Sequence, residues 1–183
     1  MIADKDRSGW FGASDTDHVI GNRKTKTFRN WWLEKMGLRR NDFTNSFLIT
    51  GTHFEHPILD ALGFPVEKDK QILLPELRLR VNLDGNTDDT IYEVKTYKNE
   101  NGFKVPLKYK RQVWVQMYAT GYRKAFIVSY GLSAEDYHNF FRPIDPERLQ
   151  LHPIEYNEDF IEHTYLPKIK ELAECLSKGV FPK

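Results

Sequence analysis

Apolar positions along the chain follow two periods, and the change from one to the other divides it. In the first third they recur at three- and four-residue steps, the spacing of one face of an α-helix. Ser14 or Asp15 caps a short helix that runs to about Ile20 and ends at Gly21-Asn22. Thr27 caps a second, through Phe28, Trp31, Trp32 and Met36, which Gly37 stops. Asp42 or Thr44 starts a longer helix carrying Phe47, Leu48, Phe54, Ile58, Leu59 and Leu62, and Gly63 closes it.

Beyond it the period drops to two. Leu77 to Leu83 alternates strictly, the pattern of a half-buried strand. Gly85 to Asp89 is turn chemistry, and Ile91 to Tyr97 reads as the returning strand of a hairpin. Asn99 to Gly102 is a further turn. Pro106 precedes a helix from Leu107 to Thr120, closed by Gly121. Ala125 to Val128 is a short buried strand, Ser133 with Asp136 resembles a capping box, and Leu149 to Ile154 is the last strand. Asn157 caps a C-terminal helix that Pro167 kinks or splits and Gly179 ends. Helices, hairpin, helix, strand and helix in this order predict an α/β (α+β) domain, a central mixed sheet with helices packed on it.

Composition sets bounds around that architecture. The 183 residues, with no repeat and no Gly/Ser linker, fit one domain over 1–183. A single cysteine, Cys175, excludes a disulfide framework and any four-cysteine metal centre. No signal peptide or membrane-length apolar run is present, so a soluble cytoplasmic protein is expected. The net charge of +1 argues mildly against nucleic acid, yet the average hides clusters. Arg23, Lys24, Lys26 and Arg29 form one, and Lys104, Lys108, Lys110 and Arg111 another, while Arg78 and Arg80 alternate along the first strand. Such clusters meet phosphate only if the fold gathers them on one side.

The hairpin carries the candidate chemistry. Glu93 and Lys95, two apart on a strand, share a face, and Asp84 ends the preceding strand just before the turn. Carboxylates brought together repel, so a cation belongs between them, and hard oxygen ligands favour Mg²⁺ or Mn²⁺. Glu55 on the long helix, flanked by Phe54, Ile58 and Leu59, is either a further ligand or an ordinary rim glutamate. His53 and His56 lack the spacing of a zinc protease and read as surface or supporting residues. Tyr109, Gln112 and Gln116 share one helix face, suited to a water or phosphate or simply a polar helix edge.

Four segments in order resemble the lambda-exonuclease-like (YqaJ-type) viral recombination nucleases of the PD-(D/E)XK superfamily. They are Arg7 with Ala13-Ser14-Asp15, Gly51-x-x-x-Glu55, Asp84-Gly85 with Glu93-Val94-Lys95, and Tyr109-x-x-Gln112-x-x-x-Gln116-Met117. The resemblance implies a restriction-endonuclease-like core and a Mg²⁺-dependent DNA nuclease, a 5′-to-3′ exonuclease on double-stranded ends in phage or prophage recombination. It implies Glu55, Asp84, Glu93 and the Val94 carbonyl as ligands of one or two Mg²⁺ (or Mn²⁺) ions. Lys95 would orient or activate the attacking water, Gln112 and Tyr109 would support that water or the phosphate, and Arg7 and Ser14 would hold a 5′ phosphate. It also raises a single-strand annealing protein as partner and a ring-forming homo-oligomer, for which no segment marks an interface. The sequence departs from the pattern in Asn82-Leu83 before Asp84 and in having only six residues before Arg7. Two rival readings stand beside the exonuclease: an endonuclease on the same core, and a catalytically silent domain that binds DNA or protein.

Overall fold

The structure, a computed structural model, describes residues 8–40, 45–98 and 102–183. A 3₁₀ turn (Ala13–Asp15) leads into α1 (Thr16–Val19), followed by α2 (Lys26–Lys35) and α3 (Ser46–Asp60). Then come β1 (Glu67–Leu74), β2 (Leu79–Asn86), β3 (Thr90–Lys98), α4 (Leu107–Thr120), β4 (Lys124–Leu132), β5 (Leu149–Pro153) and α5 (Leu166–Ser177). The strands lie in numerical order across one sheet. Neighbours are antiparallel except β3 and β4, which are parallel and joined by the α4 crossover, so the sheet is mixed as expected.

Each face of the sheet buries its own cluster. Leu79, Val81, Ile91 and Ile127 pack with Trp32 of α2, Val113 of α4 and Ile169 of α5. On the opposite face, Tyr92, Val94, Val128 and Tyr130 pack under Phe54, Ile58 and Leu59 of α3. The helical periodicity of the first third therefore supplies lids for both faces.

Several boundaries differ from the sequence pattern. The α2 cap is Thr25, not Thr27: the Thr25 hydroxyl accepts the Phe28 N–H at 3.1 Å. Asn45 caps α3, and Asp42 and Thr44 lie outside the described residues, as does Asn99. β1 has no counterpart in the reading of the sequence. β2 continues through Gly85 and Asn86, which pair with Tyr92 and Ile91, so the turn holds only Thr87 to Asp89. Arg78 is not a strand residue sharing a face with Arg80. It caps a 3₁₀ turn in the left-handed region at φ 48°, and Arg80 is buried. Near the C-terminus the Asn157 side chain accepts the Phe160 N–H, a π-helical segment spans Phe160–Tyr165, and Pro167 stands in the first turn of α5. The helical run is continuous from 158 to 177, so Pro167 does not split it; the widened π-helical turn lies just before the proline.

Candidate active site

The β2–β3 ladder is short. Gly85–Tyr92 and Asn86–Ile91 are paired, and before Gly85 the two strands part. Where the ladder would continue, the Asp84 carboxylate takes the backbone's place: Oδ2 accepts the Val94 N–H at 2.8 Å. Asp84 therefore lies within β2 rather than at its end, fixed by a main-chain donor in the opening. The next residue has to be small. A Cβ on Gly85 would lie 2.7 Å from Val66 Cγ1 and 2.8 Å from Leu59 Cδ2.

One residue before Val94, Glu93 is 2% exposed. Lys95 Nζ and Gln112 Nε2 donate to its Oε1 at 2.6 and 2.5 Å, and Gln116 Nε2 donates to its Oε2 at 2.6 Å. A carboxylate has roughly four lone-pair sites, and three of these are engaged. The ammonium of Lys95 also sits 4.8 Å from the centre of the Tyr109 ring, a cation–π contact. The shared face of α4 is thus real, but both glutamine amides point at Glu93. Gln116 is fully buried, and its Oε1 has no partner among the described residues. The sequence places Gln116 on the face shared with Tyr109 and Gln112, and the resemblance gives a role only to the other two; the structure puts the Gln116 amide on Glu93.

Glu55 comes from α3. One turn earlier, a Cβ on Gly51 would lie 2.8 Å from Thr96 Oγ1, so glycine lets the helix rest directly on β3. Burial, then repulsion from Glu93 and Asp69, raises the Glu55 carboxyl above its ordinary value against the pull of Lys95. Burial, then Glu93 and Glu55, pushes Asp84 well above its own. Burial works against the Lys95 ammonium, yet Glu93 and Asp84 outweigh it and hold its pKa up. Three carboxylates facing one ammonium leave this corner short of positive charge. That shortage and the hard oxygen donors suit a divalent cation such as Mg²⁺.

Glu55 belongs to a second group as well. Its carboxylate, His56 and Asp69 place one ligand atom each within 4.8 Å of one another, and His56 Nε2 lies 3.0 Å from Asp69 Oδ2. Asp69 stands on the unanticipated β1, in the left-handed region at φ 60°. His53 instead stacks flat on Phe140, with centroids 4.5 Å apart.

The N-terminal segment divides. Arg7 lies outside the described residues. Ser14 is exposed on the 3₁₀ turn, which packs against α4. Asp15 is internal: Oδ2 accepts from Lys35 Nζ at 2.6 Å and the Gly12 N–H at 2.7 Å, and Oδ1 accepts from Trp31 Nε1 at 2.9 Å. The acidic residue of that motif holds α2 to the turn bearing Ser14.

Known proteins place this geometry. No curated protein matches the sequence. Among solved structures, LHK-Exo in complex with dAMP superposes with a TM-score of 0.73 at 20% identity, over 94% of this chain and 90% of that one. Another structure of LHK-Exo, an alkaline exonuclease from Laribacter hongkongensis, gives 0.67 at 20% identity, with 94% of each chain covered. A phage related exonuclease from Haemophilus somnus 129PT gives 0.63 at 15% identity, with 92% of each chain covered. At these identities the likeness establishes the fold, a restriction-endonuclease-like core with a mixed sheet between helices. The profile of the YqaJ-like viral recombinase domain matches residues 4–123, which include Glu55, Asp84, Glu93, Lys95, Tyr109 and both glutamines. The chain belongs to the YqaJ-like viral recombinase domain family, within the PD-(D/E)XK superfamily.

Proposed function

We propose that this chain is a Mg²⁺-dependent deoxyribonuclease, a 5′-to-3′ exonuclease on double-stranded DNA ends acting in phage or prophage recombination. The observation that carries the reading is Asp84 seated between parted strands, on the N–H of the residue that links Glu93 to Lys95. Glu55, Asp84, Glu93 and the Val94 carbonyl would hold one or two Mg²⁺ (or Mn²⁺) ions, and the Glu55–His56–Asp69 group offers a second position sharing Glu55. Such an ion supplies Lewis acidity toward a phosphodiester.

The chain's own groups do the positioning. The Val94 N–H fixes Asp84, and Lys95, Gln112 and Gln116 fix the Glu93 carboxylate, leaving one lone-pair direction free. Lys95, steadied by Glu93 and the Tyr109 ring, offers its remaining N–H donors to the attacking water or to a phosphate oxygen. Arg7 and Ser14 are assigned to the 5′ phosphate. A guanidinium forks onto phosphate oxygens, and a hydroxyl at the start of a helical turn adds a donor.

The test is a nuclease assay with Mg²⁺ on end-labelled linear duplex and on a covalently closed circle. The exonuclease degrades the linear DNA, spares the circle, and prefers a 5′-phosphorylated end to a 5′-hydroxyl one. Cleavage of the circle moves the reaction to an endonuclease on the same core. An intact linear substrate with every divalent ion tried removes the enzymatic reading.

A further inference from the structure

The first basic cluster in the sequence does converge. Arg23, Lys24, Thr25, Lys26, Arg29 and Phe181 line one cavity of about 560 Å³. Arg23 is engaged, its guanidinium donating to both carboxylate oxygens of Glu171 at 2.5 and 2.7 Å. Lys24, Lys26 and Arg29 are exposed, and among the described residues none of the three forms an ion pair; Arg29 lies over the Phe181 ring at 6.0 Å. They also stand where a helix least favours cations. Thr25 caps α2, whose first turn holds no acid, so three positive side chains crowd the positive end of the helix dipole. Arg23 also donates to the Lys183 main-chain oxygen at 2.8 Å, but among the described residues no carboxylate pairs with Lys24, Lys26 or Arg29, and a polyanion would compensate them.

We infer that this cavity binds backbone phosphates of the DNA duplex, away from the carboxylate site. The occupant follows from the reading of the chain as a DNA nuclease, on which this inference rests. It follows also from position. α2 and α5 pack on the same face of the sheet as α4, the face toward which Glu93 turns, and α1 just before the cluster is tied to α4 by the Arg111–Asp17 ion pair at 3.0 Å. A duplex engaged at Glu93 is long enough to reach past this helical layer, and phosphates recur along it whatever the sequence. The contact is therefore electrostatic and indifferent to sequence.

The test compares the wild type with a Lys24→Ala/Lys26→Ala/Arg29→Ala variant, with binding to a labelled duplex titrated in EDTA at increasing NaCl. Each phosphate contact contributes about 0.9 to the slope of log K against log salt, so losing three makes the slope shallower by roughly 2.7. Between about 50 and 200 mM salt the wild type should then lose about 40-fold more affinity than the variant. With Mg²⁺ restored, the variant should show a raised KM for DNA at an unchanged kcat. Equal slopes in two chains with the same melting temperature overturn the inference, as does a wild type that binds no duplex. A wild type that binds with the steeper slope yet cuts nothing leaves the inference standing and removes the nuclease reading.

Discussion

Asp84 accepts the Val94 N–H at 2.8 Å, so a side-chain carboxylate holds a main-chain donor that regular pairing with β2 would have used. In Asp84→Asn the amide oxygen keeps that bond and the charge is lost. Cleavage should fall by roughly a hundred-fold or more while the fold stays intact. The stability effect has an unusual sign. Burial, then Glu93 and Glu55, raises the Asp84 carboxyl well above 3.8, so the folded metal-free chain keeps a proton that the unfolded chain releases. Its penalty is absent below about pH 4, grows as pH rises through the raised value, and is complete above it. Thermal melts in EDTA should therefore show Asp84→Asn level with the wild type in acid and more stable at neutral pH. Mg²⁺ at about a hundred times its Kd should add about 3 kcal/mol to the wild type and little to the variant. A variant that melts lower at neutral pH, or cuts at the wild-type rate, takes Asp84 out of the site.

Gln116 and Gln112 donate to the two oxygens of one carboxylate, but their loss should be unequal. Gln112 shares Oε1 with Lys95, whereas Gln116 alone serves Oε2. Gln116→Leu strips a buried charged oxygen of its donor at a cost of about 1–3 kcal/mol. For a domain of this size that lowers Tm by roughly 2–12 °C. Gln112→Leu should cost less. Calorimetry ranks the pair, and the reverse order would show that Oε2 has another donor.

How much of this was legible depends on how far apart the cooperating residues stand in the chain. Glu93 and Lys95 are related by the two-residue period of β3, and Gln112 and Gln116 by one turn of α4, so local spacing exposed both pairs. β1 stayed hidden because Glu67-Lys68-Asp69-Lys70 shows no alternation. It is an edge strand whose ladder runs to β2 alone, and its polar side chains suit that edge. With β1 unseen, Asp69 and its contact with His56 were unseen too. The misplaced α2 cap has a smaller cause. Thr25 and Thr27 are chemically identical, and only the path of the backbone decides which hydroxyl reaches the Phe28 N–H.

Asp15 separates structure from chemistry within the N-terminal motif. Lys35 is 4% exposed, and Asp15 is the carboxylate that neutralises it. Asp15→Ala leaves a buried ammonium unpaired, at a cost of about 3–5 kcal/mol. Burial by itself would raise the Asp15 carboxyl, but Lys35, with help from Gly12 and Trp31, lowers it. Its contribution is therefore full above the ordinary carboxylate value and is lost as pH falls through the depressed one. The variant should melt far below the wild type at neutral pH and approach it in acid, while protein still folded at low temperature keeps its kcat. A kcat that collapses without loss of stability would give Asp15 a direct part in the reaction.

Gly51 tests whether the seat of α3 on β3 sets the chemistry. A Cβ there would lie 2.8 Å from Thr96 Oγ1, so Gly51→Ala pushes the helix off the strand or turns the threonine. Two energies oppose. Alanine in a helix interior gains about 1 kcal/mol over glycine, and overpacking costs about 1–3 kcal/mol. Net stability should shift by no more than about 2 kcal/mol, the difference of those two terms. Activity has no such compensation, because Glu55 lies one turn along the same face and moves with the helix. A displacement near 1 Å at a catalytic group costs on the order of a hundred-fold in rate. Gly51→Ala should therefore fold well and cleave poorly. Thr96→Ala removes the obstructing hydroxyl and methyl together, so adding it to Gly51→Ala should restore most of the cleavage rate. If single and double variants are equally impaired, the glycine serves something other than the approach of α3 to β3. If Gly51→Ala cleaves at the wild-type rate, Glu55 does not need that approach to do its work.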